Sequence, residues 1–412
     1  MTYIAVDPHD PLIARDGRPF GLGANNRMRC ADWLYPSVLA GSVRTVLGKA
    51  TARDGEAFSK ENVTLLKEVA IAGPLPFVNR TIYLPAPADC VWFKEEGMLA
   101  GYRSGLLMRG GGGGETEPGF EPGEGCDIPH QGLVPVVAPQ REDAERSKPA
   151  SVAPRYWSVD RMAAWLAEDG AAKTPLKISA QPAKWEGYLQ DFEREQRTHV
   201  RIDPATGRAQ DGDLYSTCAL VLRQRNSMEE IGLAARVEAP MGSPYFDVGK
   251  NIRGWHSVGG ERRLAWFDVD ESLHDAWMLS REKSDELSKA VASARGLRMV
   301  MATHAIFRRG WLPGWLNPEN LTGEPPFGHG LVLRLRAAAV GRWIPISGWN
   351  LERGQTGPKP VRRMVPAGSV YYFEVEKGDA AAFLSDLWLQ SVCDHEQDRR
   401  DGFGLAVWGA WQ

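Results

Sequence analysis

The segment MRGGGGGETEPGFEPGEG, residues 108–125, cannot contribute to a packed core and therefore limits where folded units can lie. Its five consecutive glycines and its prolines are typical of a flexible surface insertion. A chain of 412 residues is long enough for two or three domains. We therefore expect an N-terminal module at residues 1–100, a Gly/Pro-rich insertion with a small helix at 101–190, and a C-terminal module at 191–412.

Short apolar runs alternate with amphipathic segments in both halves of the chain. YIAV at residues 3–6 predicts a buried strand, as do LVLRLRAAA and VYYFEV in the second half and GLAVWGAW at the end. This order is compatible with a split β-α-β sheet, so we predict an α+β fold of two ferredoxin-like (RRM-like) modules with insertions. The predicted helical faces are Leu39, Val43, Val46 and Leu47; Leu287, Ala290, Val291 and Ala294; and Phe383, Leu384, Leu387, Trp388 and Val392.

The charge and cysteine content restrict the class of protein only partly. Lys and Arg number 49 against 52 Asp and Glu, so the net charge of −3 does not by itself announce a nucleic-acid partner. The five cysteines are far apart and form no C-x-x-C pair, which argues against a disulfide scaffold and a zinc ribbon and favours a reducing cytoplasm. We also expect neither secretion nor a membrane span, because the chain shows no signal-peptide pattern and no run of eighteen apolar residues.

Motifs for nucleotide chemistry, metal binding and acyl transfer are missing from the sequence. Neither GKA at Gly48 nor GKN at Gly249 has the hydroxyl residue that completes a P-loop. The eight histidines show no H-x-x-x-H or H-E-x-x-H spacing, and no serine lies in a G-x-S-x-G elbow. We therefore expect no cofactor, no metal and no catalytic residue.

Basic residues cluster in a few glycine-bearing loops. Glycines let backbone N–H groups approach phosphates, and arginine forks bind the same oxygens, so several such loops in one chain favour RNA as a ligand. The alternative is that each charge run is a solvated turn, and His199 and Arg201 could equally be polar residues on a strand face. The candidate RNA-binding residues are Arg15, Arg18, Arg27, Arg29, His199, Arg201, Arg253, Gly259, Gly260, Arg262, Arg263, Lys359, Arg362, Arg363, Gly402 and Gly404.

An ordered set of short motifs resembles one known family. In chain order the set is IAVDPHDPLIARDGRPFG, WLYPSVLAGSVRT, GPLPFV, YLPAPAD, VGGERRLAWF, VPAGSVYYFEV and DGFGLAVWG, spanning residues 3 to 409. It resembles the RAMP subunit that lies at the 5′ end of the guide RNA in type III-B (Cmr-type) CRISPR effector complexes.

The resemblance implies two ferredoxin-like RAMP modules that bind the 5′ handle of the crRNA in antiviral, RNA-guided defence. It further implies contacts with the large palm-domain subunit on one side and a backbone RAMP subunit on the other, without a catalytic role. The family's glycine-rich loop corresponds to Gly402, Gly404 and Gly409, and its G-G-E-x-R element to Gly259, Gly260, Glu261 and Arg263. The terminal loop would pack against the helix of the first module and present backbone amides to RNA, although Trp411 stands where family loops often end in glycine.

Two alternatives belong to other classes. A metal-independent endoribonuclease that matures guide RNA would need a general base, for which His9 and His199 are the histidines near the expected RNA face. The second alternative is an interaction subunit with no RNA contact. Unchanged crosslinking to guide RNA after substitution of Arg262 and Arg263 would favour it.

Overall fold

The computed structural model describes residues 1–18, 20, 26–51, 58–106, 130, 132–139, 148–168, 175–222, 231–350 and 356–411. The glycine-rich segment 108–125 lies outside these residues. The described chain combines helices with several antiparallel sheets, which confirms the predicted α+β class.

Helices in the described residues are short, and side-chain caps fix the start of several of them. The Ser158 hydroxyl accepts a hydrogen bond from the Arg161 N–H at the start of one, and Asp379 caps another by accepting from Ala381 and Ala382. The helices are α1 (Pro36–Thr51), α2 (Lys60–Glu68), α3 (Val159–Ala167), α4 (Val248–Ile252), α5 (Ser272–Trp277), α6 (Arg281–Ala292), α7 (Ala380–Leu387) and α8 (Glu396–Arg400).

Strands contribute most of the regular structure. They are β1 (Thr2–Pro8), β2 (Ala70–Val78), β3 (Thr81–Pro85), β4 (Cys90–Glu95), β5 (Met98–Arg103), β6 (Gly105–Leu106), β7 (Val136–Val137), β8 (Tyr156–Ser158), β9 (Leu176–Ser179), β10 (Tyr188–Leu189), β11 (Glu193–Ile202), β12 (Ala209–Val221), β13 (Gly232–Glu238), β14 (Gly254–Val258), β15 (Arg263–Val269), β16 (Gly296–Met301), β17 (Thr322–Gly323), β18 (Val332–Ala339), β19 (Ile344–Ile346), β20 (Trp349–Asn350), β21 (Gly357–Pro358), β22 (Arg362–Met364), β23 (Val370–Lys377), β24 (Gln390–Ser391) and β25 (Leu405–Trp411).

The first large sheet has the strand order β10-β8-β3-β2-β13-β1-β15-β14. Its central part, β2-β13-β1-β15, is antiparallel throughout, with α1 after β1 and α4 between β13 and β15. This is the arrangement of a β-α-β-β-α-β ferredoxin-like module. The predicted apolar face of α1 is confirmed, because Leu39, Val43, Val46 and Leu47 are all buried.

The second large sheet has the order β17-β18-β23-β16-β25-β24. Its central strands β18-β23-β16-β25 repeat the spatial order of the first module, with α7 between β23 and β25. Residues 302–331, which are all described, join β16 to β18 without a helix. Instead, α6 precedes β16 and contacts both α7 and β25.

Sheet pairing divides the chain differently from the predicted boundaries. The strands β13 and β15 belong to the range 191–412 assigned to the C-terminal module, but both hydrogen-bond to β1 in the first sheet. The physical reason is that Ile4, Ala5 and Val6 are buried, so their backbone groups need partners on both sides. Those partners come from more than 200 residues away. The segment between β2 and β13 is therefore one long insertion, and its helix α3 contacts α6 and β25.

Candidate nucleic-acid interface

The strands β11 and β12 form a two-stranded sheet of their own, which we call the first arm. Its end is a tight turn in which the Asp203 carboxylate accepts hydrogen bonds from the Ala205 N–H and the Thr206 hydroxyl, and these bonds lower the pKa of Asp203. Asp213 lies within β12, because that strand begins at Ala209. The two strands of the first arm are therefore paired by hydrogen bonds along most of their length.

Both candidate residues on the first arm have cross-strand neighbours. The imidazole of His199 lies 2.8 Å from the Thr217 hydroxyl through Nε2 and stacks on the Tyr215 ring at a centroid distance of 5.0 Å. Arg201 is exposed and lies 3.9 Å from Asp213. His199 is thus held by the strand face, whereas Arg201 pairs with Asp213 only at the limit of ion-pair distance and stays exposed.

The N-terminal loop, residues 12–18 and 26–30, is named the arginine loop. It runs against the first arm, where Leu12 donates to the Leu220 carbonyl at 2.9 Å and Met28 donates to the Ser216 carbonyl at 2.9 Å. A concavity of about 220 Å³ opens in this loop. Its lining is Arg15, Asp16, Arg18, Phe20, Arg27, Met28 and Arg29.

The turn at residues 259–262 packs directly on the arginine loop. Gly259 has φ 72°, and a Cβ there would lie 2.8 Å from the Ile13 carbonyl oxygen, so only glycine allows this approach. The Gly260 N–H donates to the same Ile13 carbonyl at 3.1 Å and is not available to a phosphate. The close approach places exposed Arg262 beside the arginine loop, two residues along the chain from Gly260.

A third element, the second arm, comprises residues 342–350 and 356–364. It pairs β19 with β22 and β20 with β21, and the Lys359 N–H donates to the Gly348 carbonyl at 2.8 Å between the two ladders. The Gly17 N–H donates to the Pro345 carbonyl at 2.9 Å, so the arginine loop contacts this arm as well as the first. Lys359 and Arg363 are exposed on it, and the Arg363 guanidinium lies 4.8 Å from the centroid of the Trp343 ring.

Ion pairs separate the candidate cations into two groups. Partners within the described chain pair with Arg18 (Asp16, 3.2 Å), Arg201 (Asp213, 3.9 Å), Arg253 (Asp268, 3.4 Å), Arg263 (Glu261, 2.9 Å) and Arg362, which binds both Asp398 oxygens at 2.7 and 2.9 Å. In the same described residues Arg15, Arg27, Arg29 and Arg262 form no ion pair, and all four are exposed. Three of these four lie in the arginine loop, and the fourth lies beside it.

Nearby acidic groups are themselves engaged. The Asp10 carboxylate accepts from the Leu264 N–H at 2.9 Å, and this backbone hydrogen bond lowers the pKa of Asp10. The hydrogen bond from Arg197 lowers the pKa of Glu195. These carboxylates therefore remain ionised near neutral pH.

Gly402 and Gly404 do not form part of this surface, which corrects their assignment as RNA contacts. Both are buried, and their N–H groups donate to the carbonyls of Arg399 and His304 at 3.1 and 2.8 Å. Gly402 has φ 88°, and a Cβ would lie 2.6 Å from the carbonyl oxygens of Ile71 and Gly73 in β2. The terminal loop packs on the first module as expected, with Asp401 also paired to Arg44 of α1, but its amides are already used.

The histidines and acids of the described chain form no metal centre, since no cluster of three or more potential ligands occurs there. His9 lies beside Asp10 at 3.5 Å, and His304 is mostly buried, which lowers its pKa to about 4. Among the described residues, no helix is long and apolar enough to cross a bilayer.

Sequence reasoning missed the aromatic component of the second arm. Trp343 and Trp349 both precede the basic stretch of that arm in the sequence, and both are exposed. The available signal was the spacing of two tryptophans within GRWIPISGWN, a segment that contains a basic residue and no acidic one.

Comparison with known proteins gives a family and a set of remote structural relatives. The family model described as CRISPR-associated protein (Cas_Cmr3) matches residues 4–411. No curated protein matches the sequence. A chain of the type III-B Cmr-beta complex bound to cognate target RNA and AMPPnP, state 1, is 14% identical with a TM-score of 0.43, covering 90% of this chain and 86% of that chain.

Two further solved structures are similar at the same level. A chain of the type III-B Cmr-beta complex bound to cognate target RNA is 14% identical with a TM-score of 0.45, covering 90% of this chain and 86% of that chain. A chain of the Csm3-Csm4 subcomplex in the type III-A CRISPR-Cas interference complex is 10% identical with a TM-score of 0.35, covering 91% and 93%.

Proposed function

The chain belongs to the Cas_Cmr3 family of CRISPR-associated proteins, and from this premise we propose that it is a non-catalytic subunit of a type III-B effector complex that holds the 5′ handle of the crRNA. The observation that carries the proposal is the group of unpaired arginines around the concavity of the arginine loop. Arginine forks bind phosphate oxygens bidentately, so this surface suits an RNA backbone.

The two arms support the same role. Because the arginine loop hydrogen-bonds to both arms, an RNA strand bound at Arg27 or Arg29 would lie close to exposed cations on each of them, Arg201 on the first and Lys359 or Arg363 on the second. Backbone contacts of this kind fix the position of the RNA without reading its sequence.

We propose two protein partners, the large palm-domain subunit and the backbone RAMP subunit of the same complex. β14 is the last strand of the first sheet, and Trp255 on it and Leu264 on β15 are exposed. An open strand edge beside an apolar surface is suited to burial against another protein.

Ultraviolet crosslinking and peptide mapping of the intact complex, purified through a tag on this chain, tests the RNA role. We expect 5′-handle nucleotides to crosslink to peptides that contain Arg15, Arg27 or Arg262, and we expect Arg27→Ala with Arg262→Ala to reduce those crosslinks. Arg281→Ala, on α6 and away from the arginine loop in sequence, serves as the matched control.

Two outcomes would overturn parts of the proposal. If the RNA of the complex never crosslinks to this chain, the RNA-binding role is wrong and the chain is a protein scaffold. Loss of guide-RNA cleavage on His199→Ala would instead identify an endoribonuclease, because a general base at the 2′-hydroxyl is what such an enzyme needs.

A further inference from the structure

Two large aromatic side chains on the second arm are open to solvent. Trp343 is 47% exposed and Trp349 is 59% exposed, and Val361 between the two ladders is 58% exposed. A tryptophan ring gains stability when it is covered, so two exposed rings on one arm indicate a surface that a ligand covers.

The charge of the arm favours a polyanionic ligand. From residue 342 to 364 the sequence has five basic residues, Arg342, Arg353, Lys359, Arg362 and Arg363, and one acidic residue, Glu352. Arg362 forms an ion pair with Asp398. Arg342, Lys359 and Arg363 are exposed and form no ion pair among the described residues. This excess of basic over acidic side chains makes the arm positively charged, which complements a phosphate backbone.

The rings are held in place rather than loosely attached. The Arg363 guanidinium stacks over Trp343 at 4.8 Å, a cation–π contact that restrains the ring while leaving about half of it exposed. Trp349 lies in β20, paired with Pro358. Trp343 directly precedes β19 and Trp349 begins β20, so the two rings belong to different ladders of the arm.

We propose that the second arm binds single-stranded RNA by stacking unpaired bases on Trp343 and Trp349, with Arg342, Lys359 and Arg363 holding the flanking phosphates. This inference extends the proposed function and rests on it for the nature of the ligand. The Gly17–Pro345 hydrogen bond connects the arm to the arginine loop, so one strand can follow both surfaces. Because every base has a π-face, stacking here is independent of base identity.

The test compares two RNA probes with the purified full-length chain. One probe is a fluorescein-labelled (A)₁₂ oligonucleotide, and the other is an abasic backbone of the same length and charge. Loss of one base–aromatic contact weakens binding about 5- to 150-fold, so we expect Trp349→Ala and Trp343→Ala to weaken (A)₁₂ binding by amounts in that range. Binding of the abasic probe should not change, and Trp349→Phe should recover part of the affinity.

The control is Phe246→Ala, because Phe246 is 56% exposed and lies outside both arms and the arginine loop. Equal losses for both probes, or no loss for either tryptophan variant, would overturn the stacking inference. If the 5′-handle crosslinks to the arginine loop persist in that case, the proposed function stands and only the inference fails. If the tryptophan variants instead lose the partner subunits in a purification while binding (A)₁₂ normally, the arm binds protein and the inference is wrong.

Discussion

The guanidinium of Arg298 donates to the Asp89 carboxylate at 2.8 Å, and both side chains are almost completely buried. Arg298 lies in β16 of the second sheet, and Asp89 follows β3 in the insertion of the first module. The Trp165 indole and the Tyr372 hydroxyl also donate to Asp89, at 3.1 and 3.2 Å. The remaining Arg298 groups donate to the carbonyls of Ala410 and Trp165. This satisfied network joins the insertion to the second module.

Asp89→Ala should lower the free energy of unfolding by about 3–5 kcal/mol, because it leaves the Arg298 charge buried without its partner. Denaturant unfolding followed by circular dichroism measures the change. Glu286→Ala removes a surface ion pair with Lys283 and should cost less than about 1 kcal/mol. If the free energy of unfolding falls equally in the two variants, the buried ion pair stabilises the fold no more than the surface pair does.

Gly402→Ala should destabilise the contact between the terminal loop and β2. The substitution places a Cβ at φ 88° against two backbone carbonyls, so it combines about 1–3 kcal/mol of backbone strain with a steric conflict that backbone atoms cannot relieve easily. Gly207→Ala is the matched control, because Gly207 also has positive φ but no heavy atom within 4 Å of the added Cβ. A melting temperature that falls no further for Gly402→Ala than for Gly207→Ala would contradict the close-packing explanation.

Acidification should destabilise the protein through His304. Its folded pKa of about 4 lies below the usual value near 6.5, and burial is the main cause. Above pH 6.5 the side chain is neutral in both states and has no effect. Between pH 6.5 and 4 the unfolded chain takes up the proton first, which costs about 2 kcal/mol of stability at pH 5.

His304→Asn isolates this contribution. The Ala367 N–H donates to His304 Nδ1 at 2.9 Å, and the asparagine oxygen can accept the same bond without titrating. Unfolding free energies at pH 7.5 and pH 5 should therefore differ less for His304→Asn than for the native chain. His274→Asn, at an exposed position, should retain the full difference. An unchanged pH dependence in His304→Asn would rule out the assignment.

Local pattern predicted the elements of the fold better than their pairing. The buried face of α1 follows from helical periodicity within one segment, and the strands around Leu333 and Tyr371 follow from short apolar runs. The pairing of β1 with β13 and β15 was not predictable in this way, because it depends on hydrogen bonds between residues more than 200 positions apart.

At the candidate site, too, the sequence pattern identified residues but not their long-range partners. Clusters of arginine identified the arginine loop, but only the structure shows that Arg362 is neutralised by Asp398, 36 residues away. Glycine spacing identified Gly402 as a place of close backbone approach, but not that the approaching backbone is protein. Charge and glycine patterns indicate which residues can make close contacts. Only the tertiary structure shows whether the partner is another part of the protein or a free ligand surface.

Arg27→Ala and Arg262→Ala should each weaken binding of the crRNA handle and lower the slope of log affinity against log salt by about 1, because each removes one phosphate contact. Preference among handle sequences should hardly change, since phosphate contacts carry no base information. Filter binding of handle RNA between 50 and 300 mM salt measures both quantities. Arg362→Ala provides the contrast: the Asp398 ion pair already occupies its guanidinium, so we expect a loss of stability with little change in salt slope. If the salt slope falls for Arg362→Ala but not for Arg27→Ala, the RNA binds the ion-paired arginines rather than the unpaired ones. That result would contradict the proposed interface.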